Sequence, residues 1–209
     1  MPSATFHTQL PPPGNSARRA GSRRRAWLGA MACALTVLLA PASLPADNSA
    51  AALEYKVKAG YLFNFAKFVE WPANAFASTN SPFVIGVLDA GEAAPVLRSL
   101  LGGKTINGRL VEVRSVFAES IGKDLHLLLV TRVAGKTPEQ LSELAGTAPL
   151  LIVGETDAFA EHGGMVGFVR EEDAIRLTLN LERTTKAGLK VSAKLSSVAR
   201  LVKTQSSAQ

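Results

Sequence analysis

The stretch LHLLLVT, residues 125–131, decides the fold. It is too short for a helix of ordinary length and shows no alternation of apolar and polar side chains. An unbroken apolar run of this size is a strand covered on both faces, and such strands belong to parallel sheets sandwiched by helices. The surrounding segments repeat the theme. PFVIGVL (82–88), closed by Asp89-Ala90-Gly91, and PLLIVG (149–154) are further buried strands, and RLVEVRSV (109–116) alternates as a strand. Helices lie between them. EAAPVLRSLL (92–101) has Pro95 near its first turn and stops at Gly102-Gly103. TPEQLSELAG (137–146) has Thr137 as N-cap, Pro138 at its first position and Gly146 past its end. TDAFAEH (156–162) reads as a short helix capped by Thr156.

After Gly163-Gly164 the rhythm changes. MVGFVR (165–170), the turn EEDA and IRLTLN (175–180) predict an antiparallel hairpin that extends one edge. A last helix, VSAKLSSVARLV (191–202), aligns Val191, Leu195, Val198 and Val202. The expectation is an α/β fold: a single three-layer domain, with a mostly parallel sheet of about six strands, an antiparallel C-terminal hairpin and about five helices.

The first helix pattern, roughly 51–70, contains the densest aromatic cluster, KAGYLFNFAKFVEWP (58–72). At 100° per residue, Leu53, Val57, Tyr61, Leu62, Phe65, Phe68 and Val69 share about half the circumference, a core face. Lys56, Lys67 and Glu70 lie opposite. Trp71-Pro72 ends the helix, with the indole N–H near solvent or a carbonyl. Asn64 sits at the edge of the apolar arc, where its amide needs partners. Phe63 points to the polar side, resting on Lys67 one turn on. An aromatic so placed is also a candidate partner or dimer contact, with Lys67 beside it.

The N-terminus reads as an export signal. Arg18, Arg19, Arg23, Arg24 and Arg25 precede the apolar run AWLGAMACALTVLLA (26–40) and the small-residue exit Ala40-Pro41-Ala42. The run falls short of the ~20 residues that span a bilayer, so a cleaved secretory signal is expected, cut after Ala42 or Ala46. Ser22-Arg23-Arg24-Arg25 resembles a twin-arginine signal. The predicted organisation is signal 1–46, one domain 47–203 and a disordered tail 204–209.

Removing the signal takes five of 23 basic and none of 17 acidic side chains, leaving 18 against 17. A nearly neutral domain has no electrostatic case for nucleic acid as a partner. The only cysteine, Cys33, also leaves, and with it any disulfide, thiolate nucleophile or Cys-based metal site.

Chemistry is sparse in what remains. Ser120, Ser142 and Ser192 lie outside any nucleophile elbow. His162, Asp157 and Glu161 share one short segment and read as solvated charges. HGGMVGF (162–168) places its glycines between a helix and a strand, the reverse of a phosphate-cradling loop. No catalytic, metal or cofactor-binding residue is assigned, and an enzyme is not expected. Small molecules bind open α/β sheets beyond the carboxyl ends of the strands. There Asp89, Arg132, Glu155 and Thr156 form a candidate weak ligand crevice.

Several segments together carry a family resemblance: KAGYLFNFAKFVEWP, FVIGVLD, INGRLVEVR, LHLLLVT, LLIVGETDAFAEHGGMVGFV and IRLTLNLERTTKAGLKVSAKLSSVARLV. Over roughly 53–202 the chain is similar to the YfiR family of bacterial periplasmic proteins. The resemblance implies a non-enzymatic periplasmic repressor, commonly dimeric, that binds the sensory part of an inner-membrane diguanylate cyclase or a similar membrane sensor protein. Such binding lowers cyclic di-GMP and biofilm formation. The alternative is a small-molecule-binding sensor module that reports to another membrane receptor or transport system. Many relatives have a Cys just before the His of the LHLLLV strand and use disulfides for redox-dependent stability. Here that position is Leu125, so thiol-based redox sensing is not implied, and His126 is expected to be a locally hydrogen-bonded strand residue.

Overall fold

The computed structural model describes residues 47–205, except 89, 90, 123 and 173. The predicted signal segment, Asp89 and the last four tail residues lie outside the described residues.

The six apolar or alternating segments all form strands. β2 (Phe83–Leu88), β4 (Arg109–Val116), β5 (Leu127–Val130), β6 (Leu151–Gly154), β7 (Val166–Glu171) and β8 (Ala174–Leu179) make up most of one sheet. Two-residue strands at the edges, β3 (Thr105–Ile106) and β10 (Arg200–Leu201), bring it to eight, in the order β10-β8-β7-β6-β5-β2-β4-β3. A separate antiparallel pair joins β1 (Val69–Glu70) to β9 (Lys190–Val191). Strands of two residues show no period, so the sequence predicts six and not ten. Five of the seven neighbouring pairs in the large sheet are parallel; β7–β8 and β3–β4 are antiparallel. Every residue of β2, β5 and β6 is buried, as expected of strands covered on both faces.

Among the described residues five helices flank the sheet: α1 (Asp47–Phe68), α2 (Ala93–Leu101), α3 (Pro138–Ala145), α4 (Leu181–Lys186) and α5 (Ala193–Val198). α2 joins β2 to β4 and α3 joins β5 to β6, crossing in opposite directions along the sheet. Right-handed crossovers therefore put α2 and α3 on opposite faces. α1 packs beside α2, and Arg183 of α4 donates to Ser142 of α3 at 2.6 Å. Thr137 caps α3 in a full capping box with Gln140.

Three local expectations are corrected. Residues 156–162 form consecutive turns in place of a helix, with Ala158 at φ 54°. The cause is Phe159, which is buried tightly between two glycines. A Cβ on Gly154 or on Gly164 would fall 2.2 or 2.3 Å from its ring. The missing helix is replaced by α4, whose signal was Asn180: its Oδ1 accepts from the Arg183 N–H at 3.1 Å. The last helix is also shorter than its apolar pattern. Ser192 caps it, β9 takes Val191 and β10 takes Arg200-Leu201, so Leu195 is buried while Val198 is exposed. Beyond it, the Gln205 N–H donates to the Glu161 carbonyl at 2.8 Å and Thr204 accepts from Asn180.

The third correction concerns α1. Its inner stripe is Lys58, Ala59, Leu62, Phe65 and Ala66, with Phe65 stacked between Tyr61 and Phe168 of β7. Leu53 and Val57, predicted on the core face, are 62 % and 45 % exposed. Small Ala59 and Ala66 let the helix lie close to the sheet, and a charge pair takes the place of the expected apolar contact. Asn64 is exposed, so water serves its amide.

The glycines give a test of sign. Gly60 is an exposed position of α1 with open space where a Cβ would stand. Gly60→Ala should raise stability by up to about 1 kcal/mol. Gly154→Ala should lower it by about 1–3 kcal/mol, because the buried Phe159 ring must move. Urea unfolding of both variants measures the difference.

Candidate functional site

β6 ends at Gly154, so the Glu155 side chain emerges at the carboxyl end of a central strand while its N–H continues the ladder to the Val130 carbonyl at 3.1 Å. The carboxylate is only 2 % exposed. Its Oε1 accepts from Lys58 Nζ at 2.9 Å, and its Oε2 accepts from the Arg132 backbone N–H at 3.3 Å and the Tyr55 hydroxyl at 3.5 Å. Lys58, 3 % exposed, also pairs with Glu54 one turn earlier, and Arg170 Nη1 lies 3.5 Å from Glu54. A chain of alternating charge thus runs Arg170–Glu54–Lys58–Glu155 from surface to interior. Burial pushes the Glu54 carboxyl up, but the Lys58 hydrogen bond and charge outweigh it and hold the group below the usual carboxylate value. Burial, with the charges of Glu155 and Glu54, pushes the Tyr55 phenol above its ordinary range.

The strand-end crevice is therefore crossed by α1. Glu155 and Arg132 come together, though through the Arg132 backbone, and the Arg132 side chain is exposed. Thr156 is exposed and has no helix to cap. Asp89 lies outside the described residues. Thr131 donates to the Leu88 carbonyl at 3.1 Å and stitches β5 to β2 at the point where the chain reverses its course along the sheet. Lys58, Glu54 and Tyr55 are absent from the predicted set. Their signal was the i,i+4 spacing of Glu54 and Lys58, but a core lysine is not readable without its partner 97 residues away.

Phe63 stands on a different side of α1. It is half-buried, with Lys67 Nζ 5.5 Å and Lys104 Nζ 6.0 Å from its ring centroid. Lys67 was expected there. Lys104 arrives from the turn after α2. Both lysines are exposed, so the ring carries two ammonium groups at the surface.

His126 lies inside a column of rings. The Arg109 guanidinium stacks 3.8 Å from the Phe76 centroid, Phe76 stacks on His126 at 4.3 Å, and His126 on Phe83 at 5.1 Å. Trp71 meets Phe83 edge-on at 4.9 Å. The indole N–H of Trp71 donates to the His126 carbonyl at 3.1 Å. His126 Nδ1 accepts from the Val84 N–H at 3.1 Å, and a backbone N–H can only donate. Nδ1 is therefore unprotonated, and Nε2 donates to the Ala75 carbonyl at 3.1 Å. The ring is neutral, and burial pushes its pKa down, with the Ala75 hydrogen bond opposing.

These arrangements fix two outcomes. Lys58→Met strands Glu155 and should cost about 3–5 kcal/mol, whereas Lys58→Met/Glu155→Met should recover most of it; denaturant unfolding of both gives the comparison. Because His126 is neutral in the fold, its contribution is full above its unfolded value near 6.5 and is lost as pH falls through the depressed folded value. Melting temperature should therefore drop as pH falls below about 6.5, before Glu54, held below the usual carboxylate value, begins to titrate. In His126→Gln, which has no proton to gain, the drop should be smaller.

Among the described residues no helix is long and apolar enough to cross a membrane, and no three His, Cys, Asp or Glu side chains gather as a metal site. A search of curated proteins returns no match. The YfiR/HmsC-like family model matches residues 55–200, a span that runs from Tyr55 in the charge cluster to β10 at the sheet edge. The chain belongs to the YfiR/HmsC-like family, whose members are periplasmic regulators.

Proposed function

We propose that this protein is a non-enzymatic repressor that binds, in the periplasm, the sensory domain of an inner-membrane diguanylate cyclase and lowers cyclic di-GMP and biofilm formation. Family membership supports the regulatory role. The observation that carries the binding surface is the Phe63 ring flanked by Lys67 and Lys104. Anchors of protein interfaces are aromatic rings with an apolar body and a charged rim. Here the ring is mounted on a helix held rigidly to the core by Leu62, Phe65 and Ala66, so little order has to be gained on binding.

The test is genetic and uses charge reversal at exposed positions. Deleting the gene should raise cyclic di-GMP in the native cell, and the wild-type gene should restore it. Lys67→Glu/Lys104→Glu should keep stability within about 0.5 kcal/mol, as exposed substitutions do, and should fail to restore repression. Phe65→Ala, a fully buried truncation, should fail by unfolding, at a cost of about 3–5 kcal/mol. Unchanged cyclic di-GMP in the deletion strain would overturn the proposal. Full repression by the double lysine variant would remove this face from it.

A further inference from the structure

Between β1 and β2 the chain runs as a strap, Ala73–Ser81, mostly exposed, with Ala75 buried and Phe76 half-buried. Its backbone N–H groups bond locally, Ala75 to Pro72, Phe76 to Ala73 and Ser81 to Ser78. Two side chains tie it to the sheet. Arg109 Nη1 donates to the Ser78 and Ser81 carbonyls at 2.9 and 2.8 Å, and His126 Nε2 donates to the Ala75 carbonyl at 3.1 Å. Phe76 lies between the same two groups, 4.3 Å from the imidazole and 3.8 Å from the guanidinium. The arginine tie is permanent, because a guanidinium keeps its protons at any ordinary pH. The other tie hangs on a histidine, the side chain whose charge changes near neutrality.

That tie works in one protonation state. Neutral His126 accepts from the Val84 N–H at Nδ1 and donates from Nε2, so both ring nitrogens are satisfied. A proton on Nδ1 would set N–H against N–H, with no acceptor, at a residue buried in the core. Burial is the largest influence against a charged ring there. Of the charged groups that face it, Arg109 of β4, across Phe76, also opposes a proton, and Asp124, in the loop before β5, favours one. Asp124 is 66 % exposed and already bound by Arg114 at 2.6 Å, so water and that pairing weaken its pull. Ala75 and Phe76 of the strap, Phe83 and Val84 of β2 and Leu151 of β6 carry no titratable group. Lys67 and Glu70, at the end of α1, share with Phe76 and Arg109 the lining of a neighbouring cavity and are of opposite sign. A protonated ring is best served by turning out to water, and turning out releases both the Ala75 carbonyl and the face of Phe76.

We propose that His126 and the strap form an acid-opened latch: on protonation the imidazole turns out and Ala73–Ala77 swings away, while Arg109 pins Ser78–Ser81 and the sheet stays folded. Opening removes the Phe76 wall of the cavity, about 220 Å³, that it shares with Trp71, Phe83 and Ile106. The latch does not rest on the cyclase reading. Amide hydrogen exchange of the purified protein, read by nuclear magnetic resonance and corrected for the intrinsic pH dependence of exchange, tests it. The closed latch favours the neutral ring, so its stability is full above the free-histidine value and declines as pH falls. Protection of the Ala75, Phe76 and Val84 amides should therefore fall by up to about tenfold per pH unit below about 6.5, levelling off once the closed state itself takes up the proton. Protection of Leu151–Gly154 in β6 should persist through the same range, as in local opening. In His126→Gln, whether its strap is tight or loose, protection of Ala75 and Phe76 should not change with pH. Strap protection that holds to pH 4.5 would overturn the proposal. So would its loss only together with β6, which is global unfolding, or an equal slope in His126→Gln.

Discussion

The ion pair between Lys58 and Glu155 sets how the first helix lies on the sheet. Two charges taken out of water at this depth cost several kcal/mol each, and their attraction offsets that cost only where geometry and further hydrogen bonds are good. Both conditions hold. Lys58 lies between two carboxylates, and Glu155 accepts from Tyr55 and the Arg132 backbone as well. Sliding α1 by one residue or rotating it by one position would leave a lysine and a carboxylate buried without partners. Apolar contacts such as Phe65 on Phe168 tolerate small shifts, but this pair does not. It therefore contributes register more than stability.

Fixing α1 there decides where anything else can bind. An open α/β sheet offers a crevice at the carboxyl ends of its strands, where the chain reverses direction. In this protein α1 reaches that position at Glu155, where Lys58 pairs with it. The surfaces left on α1 are lateral. One carries the Phe63 ring with its two lysines, and the other carries the exposed Leu53 and Val57.

The sheet was legible because its signal is local. LHLLLVT, FVIGVL and LLIVG each state in a few residues that both faces are covered, and all three are central strands. What was not legible depended on contacts distant in sequence. Helical periodicity put Leu53 and Val57 inward and said nothing of Lys58, because the partner that takes Lys58 into the core is a carboxylate on β6. Thr156 has the chemistry of a cap, yet the burial of Phe159 between Gly154 and Gly164 outweighs a local capping bond worth about 1 kcal/mol. At the C-terminus, backbone pairing to β1 and β8 claimed residues that the apolar spacing assigned to a helix. The wheel put Phe63 on the polar side of its helix, resting on Lys67; Lys67 does lie over the ring, but the ring is half-buried and packs against the core. Lys104, brought beside it by the turn after α2, needed the fold.

The same anchor limits how the two flanks of α1 can communicate. A ligand shifts a conformational equilibrium only by its difference in affinity for the two states. Leu53 and Val57 precede Lys58 in the helix and Phe63 follows it by more than one turn, so a shift of the whole helix that carries one flank to the other must also displace Lys58. Displacing Lys58 would expose or strand buried charge, a cost comparable with breaking the pair, about 3–5 kcal/mol. A molecule resting on Leu53 and Val57 should then leave the Phe63 face in place and act by contact with a partner broad enough to cover both. Coupling between ligand and partner in this fold would come from a shared interface, not from a moving helix.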